Sequence, residues 1–244
     1  VIGIVVVSHS PELAAAAVSL ALEMAGDAPP RVELAVGAGD GVTGTDAVLV
    51  SQAIDAVAAD SPEGVLVFMD LGSAVLSAKM ALEFVETTTE VRLSSAPFLE
   101  GVVAGIVLAA AGASLDDADR EASAAMNAKN AQLQPAAERE PVASAPEDHG
   151  GAVAVDVELV NPFGLHARPA AAIVGSVSAL EAEVTIASSS SQRPPVSAKS
   201  LMGIMALGAG IGDSLRIEAT GRQAADAVER IRAMVADGFG ELDE

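Results

Sequence analysis

The sequence predicts an α/β protein in two domains, and three features carry that prediction. Residues 1–134 alternate short β-branched runs with longer helical stretches four times over. Residues 135–152 then break the pattern with three prolines, a glycine pair and charges, and almost no large apolar side chain. Residues 153–244 restart with a strand-like VAVDVELV, an Asn-Pro turn at Asn161-Pro162, and a helix. A chain of 244 residues has room for two such domains, each with its own core.

The elements follow in order. VIGIVVV, VELAV, GVLVFMD and the weaker EVRLSSA read as strands, since short apolar runs with this character suit a sheet covered on both faces. Helical patterns follow at Glu12–Met24, Asp46–Ala59, Ala74–Phe84 and Leu99–Ala111, with a further helix over Leu115–Leu133. Strand-helix alternation of this kind predicts a mostly parallel sheet sandwiched by helices and joined by right-handed crossovers. In such sheets the ligand site lies beyond the carboxyl ends of the strands.

Polar residues gather at those ends. The first strand runs into Ser8-His9-Ser10-Pro11, and the third into Asp70-Leu71-Gly72-Ser73. A carboxylate accepting from one imidazole nitrogen fixes the tautomer and leaves the other nitrogen nucleophilic. His9 and Asp70 are therefore expected to converge, with Ser73, Ser10 and Gly72 around them. The plainer alternatives are a loop histidine before a helix and an aspartate capping one. Gly39-Asp40-Gly41-Val42-Thr43-Gly44 matches a dinucleotide fingerprint, but it follows the second strand where that fingerprint normally follows the first. This loop is expected to border the His9 site.

The second domain carries Gly164-Leu165-His166-Ala167-Arg168-Pro169-Ala170. With His166 as N-cap, the N–H groups of Ala167 and Arg168 have no intrahelical partner. Pro169 falls in the first turn, where a missing N–H is tolerated. Ala170 to Val174 are a helix-compatible apolar run. An imidazole held at the positive end of a helix, beside a guanidinium, suits a histidine that carries a phosphoryl group. The simpler possibility is a capping histidine with an unrelated surface arginine.

Composition removes other classes of function. The net charge is −21, with −13 in residues 1–134 and −5 in residues 153–244, and aromatic residues make up 2% with no Trp or Tyr. No basic footprint or stacking platform for nucleic acid is present. There is no cysteine, so disulfide and thiolate chemistry are excluded. The three histidines, His9, His149 and His166, lie far apart, and no metal site is expected. The apolar opening spans seven residues without a basic flank, which reads as a strand and not a signal peptide. The longest apolar run, Gly101 to Leu115, is too short to span a bilayer. A cytoplasmic protein is expected.

The motif around His166 resembles the active-site segment of HPr, the histidine phosphocarrier of the PEP-dependent phosphotransferase system. The likeness covers about residues 152–240. Ser197-Ala198-Lys199-Ser200-Leu201-Met202-Gly203-Ile204-Met205 resembles that family's regulatory-serine segment. Gly212-Asp213 with Leu215, Ile217 and Ala219 resembles its last strand, and a helix over Gln223–Val235 would close the domain. Phe163 departs from the family, where many relatives carry a polar residue. The resemblance implies an α+β open-faced sandwich with His166 phosphorylated and Arg168 stabilising the group. It also implies Ser200 as a regulatory candidate and Leu201, Met202 and Met205 as a docking patch. The plain roles are a helix cap for Ser200 and ordinary core for the apolar face.

Residues 1–134 resemble the DhaM family, phosphotransfer subunits of PEP-dependent dihydroxyacetone kinases with a mannose-type IIA-like domain. Four blocks in order carry the likeness: Val5-Val6-Val7-Ser8-His9-Ser10, Gly44-Thr45-Asp46-Ala47-Val48, Met69-Asp70-Leu71-Gly72-Ser73-Ala74 and Ser95-Ala96-Pro97-Phe98-Leu99-Glu100-Gly101. The resemblance implies that His9 is phosphorylated, Asp70 is its hydrogen-bond partner, Ser73 contacts the phosphoryl group and the domain forms a homodimer. Some members carry HPr behind this domain and some a further enzyme I-like domain; this sequence ends after the HPr-like region.

Together the resemblances imply a relay. Enzyme I would phosphorylate His166, His166 would pass the group to His9, and His9 would pass it to ADP on a separate kinase subunit. That subunit would hold the nucleotide and Mg²⁺, and this chain no cofactor. An 18-residue flexible segment spans roughly 20–25 Å, enough for a docked encounter. Two alternatives stand: a IIA–HPr fusion feeding a sugar transporter, and a module whose phosphorylation state regulates a partner.

Overall fold

The computed structural model describes residues 1–26, 28–39, 42–133, 152–191 and 193–242. These form two compact units, Val1–Met126 and Asn127–Glu244. The segment read as a linker, with His149 in it, lies outside the described residues but for its last residue, Ala152.

In the first unit, β1 (Gly3–Ser8), β2 (Val32–Val36), β3 (Val65–Met69) and β4 (Val91–Leu93) form one parallel sheet in the order β2-β1-β3-β4. The two central strands, GIVVVS and VLVFM, are buried along their whole length, whereas β2 and β4 at the edges are only partly covered. That explains why the central runs are continuously apolar and not alternating. The helices are α1 (Pro11–Leu22), α2 (Ala47–Ala58), α3 (Gly72–Ala81), α4 (Phe98–Ala110) and α5 (Leu115–Leu133), the last of which continues past Met126. On one face α2 and α3 pack on Val5, Val7, Val65 and Val67. On the other face α4 lies over Ile4 and Phe68 and packs against α1.

Two glycines on one face of α4 permit that approach. A Cβ on Gly105 would sit 2.5 Å from the ring of Phe68, and one on Gly101 would sit 2.7 Å from the Cβ of Ala96. The start of α5 is tied to β4 and the loop after it: Arg92 in the strand donates to Asp116 at 2.5 Å, and the Ser94 hydroxyl just beyond donates to Asp119 at 2.6 Å.

The strand order matters for function. From β1 the chain moves outward one way to β2, and after β3 it moves the other way to β4. The order therefore reverses between β1 and β3, and the crevice beyond their carboxyl ends is the switch point where doubly wound sheets bind ligands. His9 and Asp70 follow β1 and β3 directly.

The second unit is a different construction. Strands β5 (Val153–Glu158), β6 (Glu183–Ser188), β7 (Val196–Ser197) and β8 (Ser214–Thr220) pair antiparallel in the order β5-β8-β6-β7. Along β8 the residues alternate, with Leu215, Ile217 and Ala219 buried and Arg216 exposed. Helices α6 (Ala167–Val177), α7 (Leu201–Ala206) and α8 (Ala224–Ala236) supply the covering layer. Ala170, Ile173, Val174 and Val177 form the buried stripe of α6; Ala224, Ala227, Val228, Ile231 and Val235 form that of α8. The result is the expected α+β open-faced sandwich. The strands β6 and β7 go beyond the sequence reading, although Val184, Ile186 and Ser188 have the period-two burial of a strand.

Phe68 is 1% exposed and cannot swing away. Gly105→Val is expected to lower the unfolding free energy by about 1–3 kcal/mol, read as a fall in urea midpoint. An unchanged midpoint would show that α4 does not press on the Phe68 ring.

Candidate functional site

The first site is built on the loop ends after β1 and β3. Asp70 is almost enclosed, with its side chain 6% exposed, and four donors converge on it. The backbone N–H of His9 donates to Oδ2 at 2.8 Å and the Ser8 hydroxyl at 2.9 Å. The N–H of Leu71 reaches Oδ1 at 2.7 Å, and Nδ1 of His9 meets the same oxygen at 2.8 Å. Burial pushes the Asp70 carboxyl upward, but the hydrogen bonds from His9, Ser8 and Leu71 outweigh it and hold the group below the ordinary carboxylate range.

An ionised carboxylate only accepts hydrogen bonds, so Nδ1 of His9 carries the proton in this pair. In the neutral ring Nε2 then holds the lone pair. That nitrogen faces the exposed hydroxyl of Ser73 at 2.6 Å, which therefore donates to it. Ser73 is the second residue of α3, behind Gly72, and a side chain there can follow an anion placed on Nε2. Ser10 is the N-cap of α1, its hydroxyl accepting from the N–H of Leu13 at 3.2 Å. Asp70 does not cap α3; that position belongs to Leu71.

Beside His9 lies a cleft of about 520 Å³ lined by Ser10, Glu12, Gly37, Gly39, Val42 and Thr43, among others. The glycine-rich loop after β2 thus borders the histidine. No lysine or arginine is among the described residues that line this cleft or bond His9.

The second site stands at the start of α6. His166 is its N-cap in extended conformation, as expected, with no side-chain capping bond. Pro169 falls in the first turn, and Arg168 is exposed one residue before it. The loop in front is fixed by Gly164, whose φ of +64° is the left-handed region. A Cβ there would come within 2.2 Å of the Ala209 carbonyl. Only glycine fits this position.

The partner of His166 is a residue the sequence reading did not select. Nε2 lies 2.9 Å from Oε1 and 3.2 Å from Oε2 of Glu241, whose side chain is 3% exposed. Asn161, fully buried, donates its Nδ2 to Glu241 at 3.0 Å and to the Gly164 carbonyl at 2.8 Å. The chain reaches Glu241 by a tight turn after α8 in which Gly238, Phe239 and Gly240 all have positive φ. No local motif marks Glu241, since 75 residues separate it from the histidine. Asn161 had a signal, as the Asn of the Asn-Pro turn. With Nε2 on the carboxylate, Nδ1 is the nitrogen left for chemistry.

The remaining predicted residues fall out as follows. Ser200 caps α7, accepting from the N–H of Gly203 at 3.0 Å. Leu201 is fully buried and Met202 is 7% exposed, so neither offers a docking surface; both belong to the core that α7 closes, and only Met205 of the three is partly exposed. The exposed apolar side chains of this unit include Phe163, at 74%, Ile211 and Leu242. Phe163 meets the His166 ring edge-on at 6.2 Å. Among the described residues no cluster of His, Asp and Glu could hold a metal ion, and no helix is long and apolar enough to cross a membrane.

Comparison with known proteins finds two separate family matches along the chain. Residues 3–119 match the family described as PTS system fructose IIA component, and residues 153–237 match the PTS HPr component phosphorylation site. The whole chain is 36% identical, over 248 residues, to the PEP-dependent dihydroxyacetone kinase phosphoryl donor subunit DhaM of Escherichia coli, of which it covers 52%. It is 35% identical over 251 residues to the DhaM of Klebsiella michiganensis, again covering 52%. The chain thus spans about half the length of these relatives. The chain is also 35% identical over 86 residues to the phosphocarrier protein HPr of Cupriavidus necator, a match that covers 35% of this chain and 93% of that protein.

Because the Asp70 carboxyl is held low in the folded state, its stabilisation is present above the unfolded value of about 4 and fades as pH falls through and below that value. Asp70→Asn should therefore cost about 1–3 kcal/mol at neutral pH, with the gap from the unsubstituted chain narrowing in acid. Urea unfolding across that range checks the sign. A gap that widens in acid would rule out an ionised Asp70.

Proposed function

This chain belongs to the DhaM family, with a IIA-type domain ahead of an HPr domain, and from that premise we propose that it relays a phosphoryl group between two histidines. The observation that carries the reading is the pair of imidazoles, each with one nitrogen on a buried carboxylate and the other left for chemistry. In the relay, enzyme I charges His166 with phosphoryl from PEP. His166 passes it to His9, and His9 delivers it to ADP held by a dihydroxyacetone kinase subunit.

Each group has a defined task. At His166, the helix N-terminus and Arg168 offset the charge of the phosphoryl oxygens. At His9, Asp70 orients the ring and Ser73 supplies a hydroxyl to the oxygens. No cofactor is required on this chain; the nucleotide and Mg²⁺ belong to the kinase subunit, and the work is positioning and electrostatics. The chain acts in the cytoplasm as a homodimer through its first unit. The exposed Leu76 and Met80 on α3, with Phe84 just beyond it, support such an interface. Phosphorylation of Ser200 would add negative charge to the helix beside His166 and oppose docking.

Labelled PEP with enzyme I, an ADP-loaded kinase subunit and dihydroxyacetone tests the relay. His166→Ala should abolish transfer and be rescued by free HPr, and His9→Ala should abolish it without rescue. Product formation that survives His9→Ala would sink the reading.

A further inference from the structure

The two sites differ in which ring nitrogen the carboxylate holds. Asp70 bonds Nδ1 of His9, whereas Glu241 bonds Nε2 of His166. Glu241 is as enclosed as Asp70, and its placement is not incidental. It is reached through three consecutive residues with positive φ, one of them Phe239, at 56°, where a non-glycine residue is strained. Asn161 commits both amide hydrogens to this corner, on Glu241 and on the Gly164 carbonyl, while its Oδ1 stays buried without a partner. An unpaired buried acceptor is unfavourable, and here it accompanies a fixed orientation of the Glu241 carboxylate.

We infer that Glu241 is the positioning residue for discharge of the phosphoryl group from His166, a counterpart to Asp70 at the receiving site. The inference rests on the carrier role proposed above for His166. With the phosphoryl group on Nδ1, Nε2–H donates to Glu241 and the ring is held as an imidazolium. A protonated imidazole is a far better leaving group than its anion, so the P–N bond is ready to break.

The step then balances without a travelling proton. The bond from phosphorus to Nδ1 of His166 breaks, and its electron pair returns to that nitrogen. The bond from Nε2 of His9 to phosphorus forms, using the lone pair that Asp70 leaves there. His166 becomes a neutral imidazole that keeps its proton on Nε2, against Glu241. His9 becomes the phosphorylated imidazolium that keeps its proton on Nδ1, against Asp70. Two other charged groups belong to this neighbourhood. Arg168 lies on α6, and Asp213, in the loop before β8, is engaged by the Gly210 N–H and Ser190.

The test uses two full-length chains. A His9→Ala donor is charged at His166 by enzyme I and labelled PEP, then mixed with a His166→Ala acceptor, and transfer is followed by rapid quench across neutral pH. Adding Glu241→Gln to the donor should slow transfer about ten- to a hundredfold at and above neutral pH. The two rates should converge in acid, where the ring is protonated without help. Glu241→Asp should recover most of the rate, since a carboxylate is restored. A Glu241→Gln rate within about twofold of the parent would overturn the inference, and so would equal slowing by both substitutions, which marks a merely structural role. If the donor with Glu241 intact takes up no label, the carrier reading fails instead.

Discussion

The hydrogen bond from Nδ1 of His9 to Asp70, at 2.8 Å, is the contact around which the first unit is organised. A single donor could not hold a buried carboxylate ionised against desolvation. Three further donors, from His9, Leu71 and Ser8, make that possible. All of them come from the ends of two neighbouring parallel strands, which must be central and in register for the loops to meet. The reversal of strand order between β1 and β3 opens the crevice in which they meet. Tautomer, nucleophile and access thus follow from one strand order.

The second unit reaches a related result by other means. Its sheet is antiparallel, and the histidine sits on a helix start instead of a strand end. The carboxylate arrives from a tight turn beyond the last helix and engages the opposite ring nitrogen. The sites also differ in charge. Arg168 and the helix N-terminus accompany His166, whereas the described residues bonding His9 or lining its cleft bring no base. The group that meets the open nitrogen of His9 is instead the Ser73 hydroxyl, at 2.6 Å.

Much of the architecture was legible in the residues. β1 and β3 are continuous apolar runs because both faces are covered, and every expected helix of the first unit is present. His9, Asp70 and Ser73 were legible as a group because all three follow strand ends, and strand ends of a parallel sheet converge. His166 and Arg168 were legible through a local string at a helix start. Glu241 was not, since its meeting with His166 depends on the whole second unit folding and on a left-handed turn at Phe239 that no pattern announces. Leu201 and Met202 misled because an apolar helix face reads the same whether it docks a partner or fills a core; burial decides, and it puts both in the core.

Asp70 on Nδ1 of His9 and Glu241 on Nε2 of His166 leave opposite ring nitrogens open in the two units. Labelling the histidines with ¹⁵N and charging the chain from PEP makes this directly visible, through coupling of phosphorus to the nitrogen that bears it. Phosphorus is expected on Nδ1 of His166 and on Nε2 of His9. Phosphorus on Nε2 of His166, or on Nδ1 of His9, would place it where a carboxylate already stands and would overturn this assignment.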